Sequence, residues 1–190
     1  MNLYFRLVWT LLRCWLGKPI HSDQTLVVRR RVLLNDLDIN LHLNNGRYLT
    51  LLDLAILEFF ARSQFLAPML RKKWRPMAGG AVITFRRQLS ALQAYDLHFR
   101  WSCSDDRWNY MTFEFIADGQ LCAAGIMKGG LVGKDGLVAT DQYVTQLSGE
   151  RRAAVQTLMD RELTPAVQEW RLTENNIHQS ARNRHLSRPA

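Results

Sequence analysis

The chain has 190 residues, of which 47% are hydrophobic and 22% charged, and its formal net charge is +8. Those proportions exclude a disordered chain and supply enough apolar material for one domain with a real core. The basic excess raises anionic partners, but the cations are scattered (Arg29 to Arg31, Arg71 to Arg75, Arg86, Arg87 and the tail) and no aromatic residues interleave them, so nucleic acid is not an expected partner.

The first stretch, MNLYFRLVWTLLRCWLG, is apolar, but Arg6 and Arg13 interrupt it. It is too short for a membrane span and has no small-residue cleavage site for a signal peptide. On a helix, Asn2, Arg6, Thr10, Arg13 and Gly17 form one narrow polar stripe, and the remainder is apolar and includes Trp9 and Trp15. Residues 1–20 therefore read as an amphipathic helix, and two alternatives stay open. Residues 1–17 lie in a membrane interface, or the helix packs on its own domain or a partner subunit.

Thr25 to Leu34 reads as a strand. Tyr48 to Phe65 is apolar on nearly every side, which places that helix in the middle of a domain. Lys72 to Gly80 reads as a basic loop with Pro76 and paired glycines, followed by a strand from Ala81 to Leu89. Tyr95, Leu97, Phe99, Trp101 and Cys103 alternate with polar residues as in a half-buried strand. Asp105-Asp106-Arg107 turns the chain into a strand from Trp108 to Ile116. Asp118-Gly119 is a hairpin signal leading to Leu121 to Val132. These strands stand too close together for crossover helices, so the sheet is antiparallel. Glu150 to Leu163 reads as a surface helix stopped by Pro165, and the polar tail from Asn175 as frayed. The fold class is α+β, with residues 21–147 as the main domain and 148–190 as a C-terminal helix and tail. Cys14, Cys103 and Cys122 are too few and too dispersed for a disulfide framework, so the reading is a reducing, cytoplasmic compartment.

The densest chemistry lies in DLDINLHLNNGRYL, from Asp36 to Leu49. A calcium loop would need Gly at Leu41 and Glu at Arg47, and zinc would need more His or Cys than His42, so no metal is expected. Asn44 or Asn45 is a natural cap for the following helix. A helix start also offers free amides that can hold an oxyanion, and a carboxylate just before it can activate water or attack directly.

This stretch resembles the D-x-D-x3-H-x-N-N-x-R-Y-L signature of the 4-hydroxybenzoyl-CoA thioesterase-like superfamily. FRRQL, DDRWNY, DGQL and the tail resemble the subgroup that contains thioesterase superfamily member six and its bacterial relatives. The resemblance covers roughly Ser22 to Arg182 and implies the hotdog fold, an antiparallel sheet wrapped around a central helix. It implies hydrolysis of acyl-CoA by homodimers or homotetramers with active sites at subunit interfaces. Coenzyme A would be part of the substrate, with no further cofactor. Asp38 matches the catalytic carboxylate, the Asn45 amide the oxyanion donor, and His42, Asn44 and Asn45 the polar cluster. Asp53 matches a frequent acidic helix residue, expected to pair with Arg47 or a strand arginine. Leu41 stands where many relatives carry Gly, beside the acyl or pantetheine path, and Leu41 and Tyr48 are the candidates for contact with the substrate. Arg86 and Arg87 are candidates for the CoA phosphates. The alternative function is a catalytically weak or inactive hotdog protein that holds acyl-CoA or partners at a membrane surface, peripheral on its inner face.

Overall fold

The computed structural model describes residues 2–147 and 149–186, with side chains described for 4–147 and 149–184. In chain order the elements are α1 (Asn2–Leu16), β1 (Leu26–Arg31), a 3-10 turn (Leu34–Asp36), α2 (Asn45–Arg62), α3 (Leu66–Arg71), β2 (Arg75–Phe85), β3 (Ala94–Ser104), β4 (Asn109–Ala117), β5 (Gln120–Gly133), β6 (Gly136–Val138), α4 (Thr140–Val144), α5 (Gly149–Met159) and α6 (Pro165–Leu186). The strands form one sheet in the order β1-β3-β4-β5-β2, with β6 paired to β5. All pairings are antiparallel.

Period-two alternation sets the sheet's inner face. Along β3, Tyr95, Leu97, Phe99 and Trp101 are buried while Asp96, His98 and Arg100 are not. The turn into β5 uses Asp118 and Gly119 at φ 52° and 71°, the left-handed pair that matches the twist of a tight hairpin.

Helix α2 starts where the Asn44 side chain accepts the Gly46 amide at 2.9 Å. Its Tyr48, Leu51, Leu52, Ala55 and Phe59 are buried in the main core. Phe59 meets Phe99 edge-on at 5.1 Å and Tyr48 meets Phe115 at 4.8 Å. Burying side chains of this size is worth about 1.5–3 kcal/mol each. This is the expected antiparallel sheet curled around a central helix.

A smaller core lies apart from the main one. Cys103, Tyr110 and Val167 are packed there with Trp108, Ile126, Leu163 and Trp170 under α6. Lys128 sits 4.7 Å from the Trp108 ring centre and pairs with Glu174 of α6.

Helix α1 packs on its own domain, but through its polar stripe. Thr10 is fully buried, whereas Tyr4, Trp15 and Leu16 are 74%, 82% and 75% exposed.

Three expectations are corrected. The basic loop expected over Lys72 to Gly80 and the strand expected from Ala81 become one strand from Arg75 to Phe85. Pro76 is tolerated because β2 is an edge strand, and the pairing shifts register between Ala78 and Gly80. Gly79, at that shift, lies so close to Trp108 that a Cβ would stand 2.3 Å from its ring. Pro165 does not merely end a helix running to Leu163. Helix α5 stops at Met159, and Pro165 opens α6, where its missing amide costs nothing. The tail expected to fray from Asn175 stays helical to Leu186, held on the sheet through Trp170 and Glu174. Residues 187–190 lie outside the described residues.

Candidate active site

The spacing of the D-x-D-x3-H-x-N stretch has a simple geometric origin. The chain folds back on itself between Asp38 and His42. The Asp38 amide donates to the His42 carbonyl at 2.9 Å, and the Asn44 amide donates to the Asp36 carbonyl at 2.9 Å. Leu37 and Leu43 pair between them. Leu43 is buried in the core with Leu37 packed against it, so the polar side chains are left to the other side of this short ladder. His42 also bridges to Ser90, and the Leu43 amide donates to the Leu89 carbonyl at 2.8 Å. The motif is thereby pinned to the segment that follows Arg86 and Arg87.

Each carboxylate of the motif has a distinct setting. Asp36 is 2% exposed and pairs with Arg6 of α1, while its Oδ2 also accepts the Leu33 amide at 3.0 Å. Arg47 stands 4.0 Å from its Oδ1. Asp38 is half-buried, and its Oδ1 accepts the amides of Asn40 at 2.8 Å and His42 at 3.3 Å. That Asx turn fixes the carboxylate in place just before the helix. Leu41 closes the same loop at φ 60°, a left-handed conformation that suits Gly and that a Leu rarely adopts, and its side chain is 68% exposed.

The helix start is exposed. Asn44 takes the Gly46 amide with its side chain and the Arg47 amide with its carbonyl. The Asn45 amide has no acceptor among the described residues. The imidazole of His42 likewise has no hydrogen-bond partner among them. Tyr48 is 2% exposed and lies in the core, where burial pushes its hydroxyl up to about 12. Arg86 and Arg87 share the Cys122 carbonyl through their amides, and their exposed guanidinium groups have no ion-pair partner among the described residues.

Asp53 differs from its expectation. Among the described residues it pairs neither with Arg47, which reaches Asp36 and the Asn35 carbonyl, nor with a strand arginine. Asp53, Ile56, Leu57 and Phe60 form one i, i+3, i+4, i+7 side of α2 and line an apolar cavity of about 390 Å³. Met77 and Ala78 of β2, Trp101 of β3, Met111 of β4 and Met127 of β5 stand among its other walls. The Asp53 carboxylate reaches solvent at the cavity, yet the apolar walls raise its pKa through desolvation. The sequence reading missed this cavity. The signal was available: a lone acid on an apolar helical side at that spacing.

Among the described residues, no group of three or more His, Cys, Asp or Glu is placed to hold a metal ion.

The family model described as the thioesterase-like superfamily matches residues 32–165, which include the motif, α2 and the whole sheet after β1. The chain belongs to the thioesterase-like superfamily. Protein THEM6 of Danio rerio is 30% identical over 136 residues, covering 66% of each chain. The matched stretch thus spans just under two thirds of that relative. Among solved structures, DHNA-CoA thioesterase from Staphylococcus aureus is 14% identical with a TM-score of 0.61, over 70% of this chain and 92% of that one. The protein SAV2348 from Staphylococcus aureus, solved in complex with CoA, is 12% identical with a TM-score of 0.60, over 78% and 94%. At such identities the likeness is one of fold, and the fold is the hotdog arrangement expected of this superfamily. Membership supports thioester hydrolysis as the class of reaction.

Proposed function

We propose that the chain hydrolyses acyl-CoA thioesters, with the acyl group in the apolar cavity and the CoA phosphates near Arg86 and Arg87. The observation that carries this reading is the cavity itself, apolar on most sides with one carboxylate in its wall. In the reaction a carboxylate takes a proton from water, the water oxygen adds to the thioester carbonyl, and helix-start amides hold the resulting oxyanion. Collapse of that intermediate releases the free acid and the CoA thiol.

Two carboxylates compete for the role of base. Asp38 is favoured by its place in the motif: the Asx turn fixes it across the fold-back from His42, in the segment that leads to the helix start with its free Asn45 amide. Asp53 is favoured by its place on the cavity wall and its raised pKa. Eight residues separate Asn45 from Asp53, about 12 Å along a helix, so the two cannot act on one carbonyl within a single protomer. The cavity also reaches Pro76, Met77 and Ala78 on β2, an eleven-residue edge strand with no buried residue. A long free edge of this kind is a pairing surface for another copy. The reaction therefore calls for a homodimer joined there, in which the partner subunit supplies the helix start to this cavity.

Thiol release should be measured over short, medium, long and aromatic acyl-CoAs for the wild type, Asp38→Asn and Asp53→Asn. Loss of the true base is expected to cost about 10²–10⁴ in rate, with the other variant much closer to wild type. Turnover unaffected in both variants would overturn the mechanism. Saturable acyl-CoA binding with no release of thiol would favour the non-catalytic binding protein instead.

A further inference from the structure

Helix α1 is held inside out. Arg6 pairs with the buried Asp36, Arg13 lies 3.3 Å from the fully buried Glu58, and the Thr10 hydroxyl accepts a hydrogen bond from Arg30 at 3.2 Å. These three residues share one narrow arc of the helix, and the domain grips that arc. The opposite side carries Tyr4, Phe5, Trp9, Leu12, Trp15 and Leu16, each between 45% and 82% exposed. At about 100° per residue they sweep roughly 140° of the circumference. Water does not favour so large an apolar side left bare on a fixed helix.

Three features select the occupant. A second helix would cover only a narrow seam, whereas a bilayer surface accepts the whole arc. The helix is about 22 Å long, short of a roughly 30 Å hydrocarbon core, so it would lie flat and not cross. No described helix is long and apolar enough to span a membrane. Tyr4, Trp9 and Trp15 are the amphipathic aromatics that settle at a membrane–water boundary. The charge is complementary as well. Exposed Lys18 follows α1 after Gly17, and the hollow beside it carries exposed His21 and Arg151 against a single acid, Glu150, since the Arg62 that also lines it is already paired with Glu58.

We infer that α1 docks the protein flat on an anionic bilayer surface. Its apolar side sinks to the acyl-chain boundary, while its arginine stripe stays clasped to the domain. The clasp makes the anchor rigid: the domain follows α1 to the surface in a fixed orientation.

The test uses the full chain with phosphatidylcholine vesicles and with vesicles enriched in phosphatidylglycerol, and co-sedimentation gives the partition. The wild type should bind the anionic vesicles, and binding should fall roughly 10-fold without anionic lipid. Phe5→Glu/Trp15→Glu should abolish binding to both, with an unchanged circular dichroism spectrum, because both side chains point away from the domain. Absence of wild-type binding would overturn the inference, as would equal binding by the double variant. Equal partition onto both vesicle types would overturn the charge part. A wild-type oligomer that the double variant dissolves, with no vesicle binding, would assign the apolar side to a second copy.

Discussion

Helices α1 and α2 lie against one another and are both mostly apolar in sequence, yet they face the domain in opposite senses. Helix α2 turns Leu51, Leu52, Ala55 and Phe59 inward and leaves Asp53 toward solvent. Helix α1 turns Arg6, Thr10 and Arg13 inward and leaves its aromatics outside. The difference comes from what each helix meets. Helix α2 meets an apolar sheet. Helix α1 meets Asp36 and Glu58, two carboxylates already withdrawn from water, and a buried carboxylate requires a cation more urgently than an apolar side chain requires burial. Amphipathicity therefore fixes that a helix has two sides, and the partner fixes which one is hidden.

The comparison can be broken most severely at Glu58. Arg13, Arg62 and Arg30 surround it at 3.3, 3.2 and 3.9 Å, and burial already lowers the pKa of Arg30. Glu58→Gln should cost about 3–5 kcal/mol in urea denaturation, because it strands those cations. A loss below about 1 kcal/mol would mean the clasp does not hold α1. Arg6→Met leaves Asp36 with the Leu33 amide and the more distant Arg47, so about 1–3 kcal/mol should be lost.

Two smaller changes sharpen the contrast on the α2 side. Leu41→Gly removes a left-handed Leu at φ 60° and should stabilise the protein by up to about 1 kcal/mol. A destabilised variant would show that the exposed Leu41 side chain is packed against something in solution. Asp53→Asn should have the smallest effect, and a pH-dependent one. The folded-state pKa of Asp53 is raised, so between the ordinary carboxylate value and that raised value the folded chain holds more protons than the unfolded one. Stability is then lost as pH rises through the window. The variant and wild type should melt together below it, and the variant should melt higher above it. A difference of the opposite sign would mean that Asp53 gains a cation in solution.

Much of the fold was legible because it rests on local periodicity. The alternation from Tyr95 to Cys103, the Asp118-Gly119 hairpin and the all-round apolar stretch after Tyr48 each state their own geometry. The start of β2 was hidden because Pro76 and Gly79 are loop signals unless one knows that β2 is an edge and that Trp108 lies against Gly79. Helix α6 was hidden for a similar reason, since its polar sequence is held by Lys128 of β5 and by Trp108 in the turn before β4, both distant in sequence. At the site, the motif's residues were legible by spacing, and the fold-back between Asp38 and His42 explains that spacing. The cavity was not, because its walls come from α2, α3, α4 and four strands brought together only by the fold.

Asp36, the first acid of the motif, is also the residue that Arg6 holds. Trimming the chain back to the sheet would therefore not be a clean excision. It would lift the lid from a sealed carboxylate and loosen the stem whose next-but-one residue is Asp38, so a shortened protein would report on a damaged site as well as a missing helix.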